Sequence, residues 1–148
     1  MGDSALTEYR KILVVVDLSE DSRIVGERAK VVATCYQSEI TLLHVVEYVP
    51  VEPMGEALLP TVQIESELVD RARVKLGELA RQLSLSNSPQ LVETGSIKTE
   101  IVRTAQRLGA NLIVLGSRER HGLAILLNFT EDTVLHAAPC DVLAVRLH

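Results

Sequence analysis

A chain of 148 residues with 47% apolar composition fits a single domain that buries an ordinary core without disulfides or a structural metal. A formal charge of −5, no tryptophan and one phenylalanine speak against nucleic acid, because phosphate neutralisation and base stacking both lack their residues. There is no run of ~18 apolar residues and no basic-then-apolar leader, so neither a membrane span nor standard export is expected, and the expected location is the cytoplasm.

The two cysteines, Cys35 and Cys140, have neither disulfide-framework nor zinc-type spacing, and are expected as small buried hydrophobes in a reducing compartment. Met1-Gly2 hints at myristoylation, but Leu6 stands where that pattern wants a hydroxyl residue. The Asn128-Phe129-Thr130 sequon means nothing in a cytoplasmic protein.

Residues 1–9 are polar and aperiodic, a flexible tail ahead of a domain over residues 10–148. Lys11 to Asp17 is a buried strand that leads through Leu18-Ser19-Glu20-Asp21 into a helix, with Ser19 or Asp21 as N-cap. That helix shows an apolar stripe of Val25, Ala29, Val32, Ala33 and Tyr36. Glu39 to Glu47 is a second strand, rich in β-branched residues and interrupted only by His44. Three prolines and a glycine between Tyr48 and Pro60 bar regular structure; the segment is either a mobile flap or a partly disordered connector.

Thr61 to Leu85 carries the longest helical period, with Leu68, Val69, Ala72, Leu76, Leu79, Ala80 and Leu83 as its apolar set, stopped by Asn87-Ser88-Pro89. Gln90 to Glu93 is a short edge-type strand, and Gly95-Ser96 turns the chain into a helix over Ile97 to Leu108, closed by Gly109. Asn111 to Gly116 is the fourth strand, opening at Gly116-Ser117 into a charged loop. After Thr130 a last helix turns Val134, Leu135 and Ala138 inward, and Asp141 to Leu147 is the fifth strand. The order βαβαβαβαβ predicts one doubly wound, Rossmann-like α/β domain, a mostly parallel sheet with helices on both faces. If the first and fourth strands are neighbours, their polar ends share one crevice, and Gly116 and Ser117 are the strongest ligand-site candidates.

Taken together, VVVDLS (Val14 to Ser19), LLHVVE (Leu42 to Glu47), Gly95-Ser96, NLIVLGS and PCDVLAV (Pro139 to Val145) resemble the universal stress protein family over essentially the whole chain. The resemblance implies strand order 3-2-1-4-5, a crevice between strands 1 and 4, and a homodimer made through the last strand. Nucleotide-binding members carry Gly-x-x-Gly, a nine-residue spacer and Gly-Ser/Thr after the fourth strand, cradling ATP phosphates on backbone amides. Here Gly116 matches the first glycine and Thr130 the closing hydroxyl, but Glu119 and Phe129 replace the other glycines. By resemblance, Asp17 faces ribose or adenine, Val45 touches the base, and Ser117 and Thr130 face phosphates.

Physical chemistry weighs against the phosphate roles. Neither Glu119 nor Phe129 permits close backbone approach or positive φ cheaply. Glu119, Glu131 and Asp132 also bring carboxylates near the phosphate position, where one unit charge at ~5 Å costs about 3 kcal/mol at an effective dielectric of ~20. A helix dipole returns only roughly 0.3 to 2 kcal/mol. Repulsion wins unless Arg118, Arg120, His121, Lys98 or a magnesium ion offsets it, so the chain is closer to the non-nucleotide-binding branch of the family.

Several residues keep two readings. Asp17 either orients a ligand or caps the following helix. Arg118 and Arg120 form either an anion clamp or a solvated charged turn. His121 is read as solvated surface and His44 as a satisfied, half-buried histidine. No nucleophile–base pair, GxSxG elbow, Walker loop or metal spacing occurs, so neither an enzyme nor a metal is expected, and no cofactor apart from a possible ATP.

Three functions follow. The first is a dimeric stress-response module acting through contacts with unidentified proteins, with ATP binding weak or lost. The second is an adenine-nucleotide sensor whose cations compensate for the missing glycines, and the third, on fold analogy alone, is a slow nucleotide hydrolase. The dimer has its own logic, because the final strand, with valines on both faces and no lysine or internal proline, is an unprotected edge unless it pairs across a two-fold axis.

Overall fold

The segment Ile12-Leu13-Val14 is apolar toward both faces and is fully buried, which only a central strand covered from both sides can satisfy. The computed structural model describes residues 8–47, 58–118 and 130–148. In chain order they form β1 (Lys11–Val15), α1 (Ser22–Tyr36), β2 (Glu39–Val46), α2 (Leu58–Gln82), β3 (Gln90–Thr94), α3 (Ile97–Leu108), β4 (Leu112–Arg118), α4 (Thr130–Ala137) and β5 (Asp141–Leu147). The sheet order is β3-β2-β1-β4-β5 and every pairing is parallel. This is the doubly wound architecture expected from the element order, in the strand order that the family resemblance implied, with β3 and β5 at the edges.

Alternation along the strands divides the core into two layers. Ile12, Val14, Leu42 and Val114 face α1 and α2, where they meet Val25, Ala29, Leu76 and Leu83. Leu13, Leu43 and Ile113 face the other way, against Ile101 and Ala105 of α3 and Val134 of α4. At the amino ends of the strands, Asn111 ties β1 to the start of β4, its Oδ1 accepting from the backbone N–H groups of Arg10 and Lys11 at 3.0 and 2.9 Å.

The helix ends follow their local chemistry. Ser96 caps α3, and Gly109 ends it at φ 65°, a left-handed conformation that a residue with Cβ adopts at a cost. Asp21 occupies the N-cap position of α1 but makes no side-chain capping bond there. Its carboxylate is engaged elsewhere.

Four expectations need correction. The α2 helix starts at Leu58, so Leu58 to Pro60 are helical; a proline in the first turn is tolerated because its missing N–H has no intrahelical partner to lose. The rest of the expected flap, residues 48–57, lies outside the described residues. The β4 strand continues through Ser117 to Arg118, held by its pairing with β5. Leu135 points outward at 56% exposure while Val134 is buried, since two adjacent residues of a short helix cannot share one narrow contact stripe. Cys35 is exposed rather than buried, Cys140 is half-buried, and both are free thiols.

Residues 1–7, most of the expected tail, also lie outside the described residues. Tyr9 is packed: its ring stands edge-on to Tyr36 at 5.1 Å, and its hydroxyl donates to Asp141 at 2.8 Å. That bond raises the phenol's pKa. Among the described residues no helix is long and apolar enough to cross a membrane.

Candidate functional site

β1 lies between β2 and β4, so chain connections leave it in opposite directions and a gap opens at the carboxyl ends of β1 and β4. A cavity of about 260 Å³ occupies this gap. Its walls are mainly aliphatic, including Val15, Val25, Val45, Ile97, Ile101 and Leu115, and its polar groups are Asp17, Ser22, His44 and Arg118. The composition suits a flat, largely apolar group held by a few oriented polar contacts.

The β1–α1 connection shapes one side. Leu18 adopts φ 64°, a left-handed conformation that costs a branched side chain about 1 to 2 kcal/mol. Asp17 offsets that strain by holding the turn: its Oδ1 accepts from Ser19 N–H at 2.9 Å, Ser19 Oγ at 2.6 Å and Ser22 Oγ at 3.0 Å. Partial burial opposes ionisation of this carboxyl, but the hydrogen bonds from Ser19 and Ser22, with the charge of Arg118, outweigh it and hold the pKa below the usual value.

The sign of the pH dependence follows. Because the folded-state pKa is lowered, the stabilisation is fully present above the unfolded pKa of about 4 and disappears as pH falls through the folded value. The Asp17 side chain is 68% exposed, so solvent screening weakens its bonds, and Asp17→Ala is expected to cost no more than about 1 kcal/mol at pH 7. The difference from wild type should shrink on acidification below about pH 4. Urea unfolding across that range checks it, and a difference that persists unchanged into acid would show that the ionised carboxylate is not the stabilising species.

On the β4 side, Gly116 lines the cavity, and a Cβ there would meet Leu147 Cδ1 at 2.6 Å and Val25 Cγ2 at 3.2 Å. Arg118 continues the same face toward α1, and its Nη2 is 2.7 Å from Asp21 Oδ2, 3.3 Å from Ser19 Oγ and 4.0 Å from Asp17 Oδ2. Ser117, half-buried between them, is not among the residues that line the cavity and is in register with Arg146. His44 is half-buried as expected, with Nδ1 2.8 Å from the Val16 carbonyl. That oxygen only accepts, so Nδ1 carries the proton.

The structure therefore brings Asp17, Val45, Gly116 and Arg118 to one cavity, whose lining does not include Ser117. Thr130 is the first residue of α4, but its side chain and those of Glu131 and Asp132 lie outside the described residues, as do residues 119–129 with Glu119, Arg120, His121 and Phe129. Lys98 is exposed in the first turn of α3 and does not line the cavity. Among the described residues no group of three or more His, Cys, Asp or Glu side chains is placed to hold a metal ion. Sequence reasoning missed Asp21 as Arg118's partner; opposite charges just beyond the ends of two strands expected to be neighbours were the available signal.

Comparison with known proteins agrees with this architecture. The Universal stress protein family model matches residues 8–146. The chain is 36% identical over 143 residues to Universal stress protein A homolog 2 of Coxiella burnetii, covering 96% of this chain and 98% of that one. Among solved structures, universal stress protein UspA from Lactobacillus plantarum superposes with a TM-score of 0.72 at 26% identity, over 95% of this chain and 100% of that one. A universal stress protein in complex with cAMP shares the fold with a TM-score of 0.61 at 17% identity, over 94% and 98% of the two chains. The family match over nearly the whole chain, the strand order and the cavity at the β1/β4 gap lead to one conclusion: the chain belongs to the universal stress protein family.

Proposed function

We propose that the protein is a dimeric, cytoplasmic stress-response module of the family's non-nucleotide-binding kind, acting through contacts with other proteins and gripping ATP weakly or not at all. The observation that carries this reading is the commitment of Arg118 to Asp21 and Asp17, which among the described residues sets two carboxylates against one guanidinium at the cavity mouth. A polyphosphate meets excess negative charge there. The substitution of Glu119 and Phe129 for motif glycines points the same way. Calorimetric titration with millimolar MgATP is expected to give no saturable heat, and clear saturation would overturn the reading.

One observation favours a second reading, an adenine-nucleotide sensor. The cavity keeps aliphatic walls and Asp17 at its edge, and a solved relative of the same fold holds cAMP. Hydrolysis has less support, since Asp17 already accepts three hydrogen bonds and His44 is bound to a carbonyl.

Dimerisation through β5 is supported by its position at the sheet edge and by the apolar groove beside it, lined by Tyr9, Val32, Tyr36, Leu135, Val142 and Leu143. Tyr36 and Leu135 are 45% and 56% exposed in the single chain, and a second copy would cover both. Light scattering at micromolar concentration is expected to give twice the chain mass, and Leu135→Lys to shift the protein toward monomer. A monomeric wild type would remove this part of the proposal.

A further inference from the structure

The shortest ion pair at the crevice mouth holds a cation that a ligand would otherwise find. Arg118 reaches from the end of β4 to three acceptors, Asp21, Ser19 and Asp17, all on the β1–α1 connection. Its guanidinium thus bridges the two elements between which the cavity opens. The side chains of Arg118 and Asp21 are 39% and 26% exposed, so water competes for the pair and its net strength is modest. A phosphate offers the same planar fork more negative charge than a carboxylate does.

We propose that Arg118 is a gated phosphate-binding residue: Asp21, assisted by Asp17, draws its guanidinium across the mouth and so sets the crevice to prefer an uncharged nucleoside over a nucleoside polyphosphate. This rests on the crevice being a weak nucleotide-type pocket, as proposed above. The aliphatic walls do not discriminate by charge, whereas the mouth does. Asp21 is a positioning residue in this scheme, acting only through Arg118.

The test compares MgATP with adenosine by calorimetry on the full chain, using wild type, Asp21→Asn, Asp21→Glu, and the double variant Asp21→Asn/Arg118→Ala, each checked for cooperative unfolding. Wild type is expected to give no saturable heat with millimolar MgATP and Asp21→Asn a saturable isotherm in the same range, a gain of about fivefold or more, while adenosine changes by less than about twofold. Asp21→Glu should behave as wild type, and adding Arg118→Ala should abolish the gain. Equal gains for both ligands would mean the loop had merely loosened, which overturns the proposal. A gain that survives loss of Arg118 also overturns it. Should neither wild type nor Asp21→Asn bind MgATP, the gate is refuted while the protein-contact reading stands. Tight MgATP binding by wild type, unchanged in Asp21→Asn, refutes both.

Discussion

Leu83→Ala is expected to destabilise the protein by about 3 to 5 kcal/mol, the range for emptying a fully buried leucine site. Leu83 has no exposed surface and lies in the turn just past the end of α2, packed against Gly26 of α1. A Cβ built on Gly26 of α1 would stand 2.3 Å from Leu83 Cδ1 and 3.0 Å from Cδ2. The end of α2 approaches α1 closely because the glycine on α1 leaves room for the leucine that follows α2. Gly26→Ala alone should therefore overpack this contact, costing about 1 to 3 kcal/mol, offset by roughly 1 kcal/mol of improved helix propensity.

The double variant carries the sharper expectation. Placing a methyl on Gly26 partly refills the space vacated by Leu83, so Gly26→Ala/Leu83→Ala should be more stable than the sum of its parts by about 1 to 2 kcal/mol. A denaturant-based double-mutant cycle measures that coupling. Strict additivity would mean that the α1–α2 contact relaxes freely and that Gly26 is not required by Leu83.

The second large effect concerns Gly116. Gly116→Val is expected to cost about 2 to 3 kcal/mol by overpacking, because its branches would be driven into the buried side chains of Leu147 and Val25. The same branches would intrude on the cavity that Gly116 lines. A ligand lost in this variant is therefore no sign of a backbone–phosphate contact. Thermal unfolding checks the stability term, and a wild-type melting temperature would mean that Leu147 and Val25 yield without cost. The glycine that motif logic assigns to phosphate approach is in this chain also required by the packing of β5 and α1.

Much of the fold was legible before any coordinates. Ile97 to Leu108 and Asp141 to Leu147 match the observed bounds of α3 and β5, because each is bracketed by strong local signals: Gly95-Ser96 and Gly109 for the helix, Pro139 ahead of the strand. The two-sided apolar character of β1 and β4 placed them inside the sheet for the same kind of local reason. Boundaries failed where a tertiary partner extends an element. Pairing with β5 carries β4 through Ser117 and Arg118, although these two residues are polar and gave a loop reading.

Residue identities alone determined that this chain makes a mostly parallel α/β sheet, since period, caps and apolar runs act within a few residues and are written in consecutive letters. That β1 and β4 are neighbours was implied only by the family resemblance, and their pairing bears it out. Only the folded arrangement decided how the charges at their carboxyl ends are used. Asp17 is turned to Ser19 and Ser22, and Arg118 crosses about a hundred positions of sequence to reach Asp21. Which of several nearby carboxylates takes a long, flexible guanidinium depends on strand alternation, the left-handed turn at Leu18 and the approach of α1 to the sheet, and none of these is a property of any short stretch of chain.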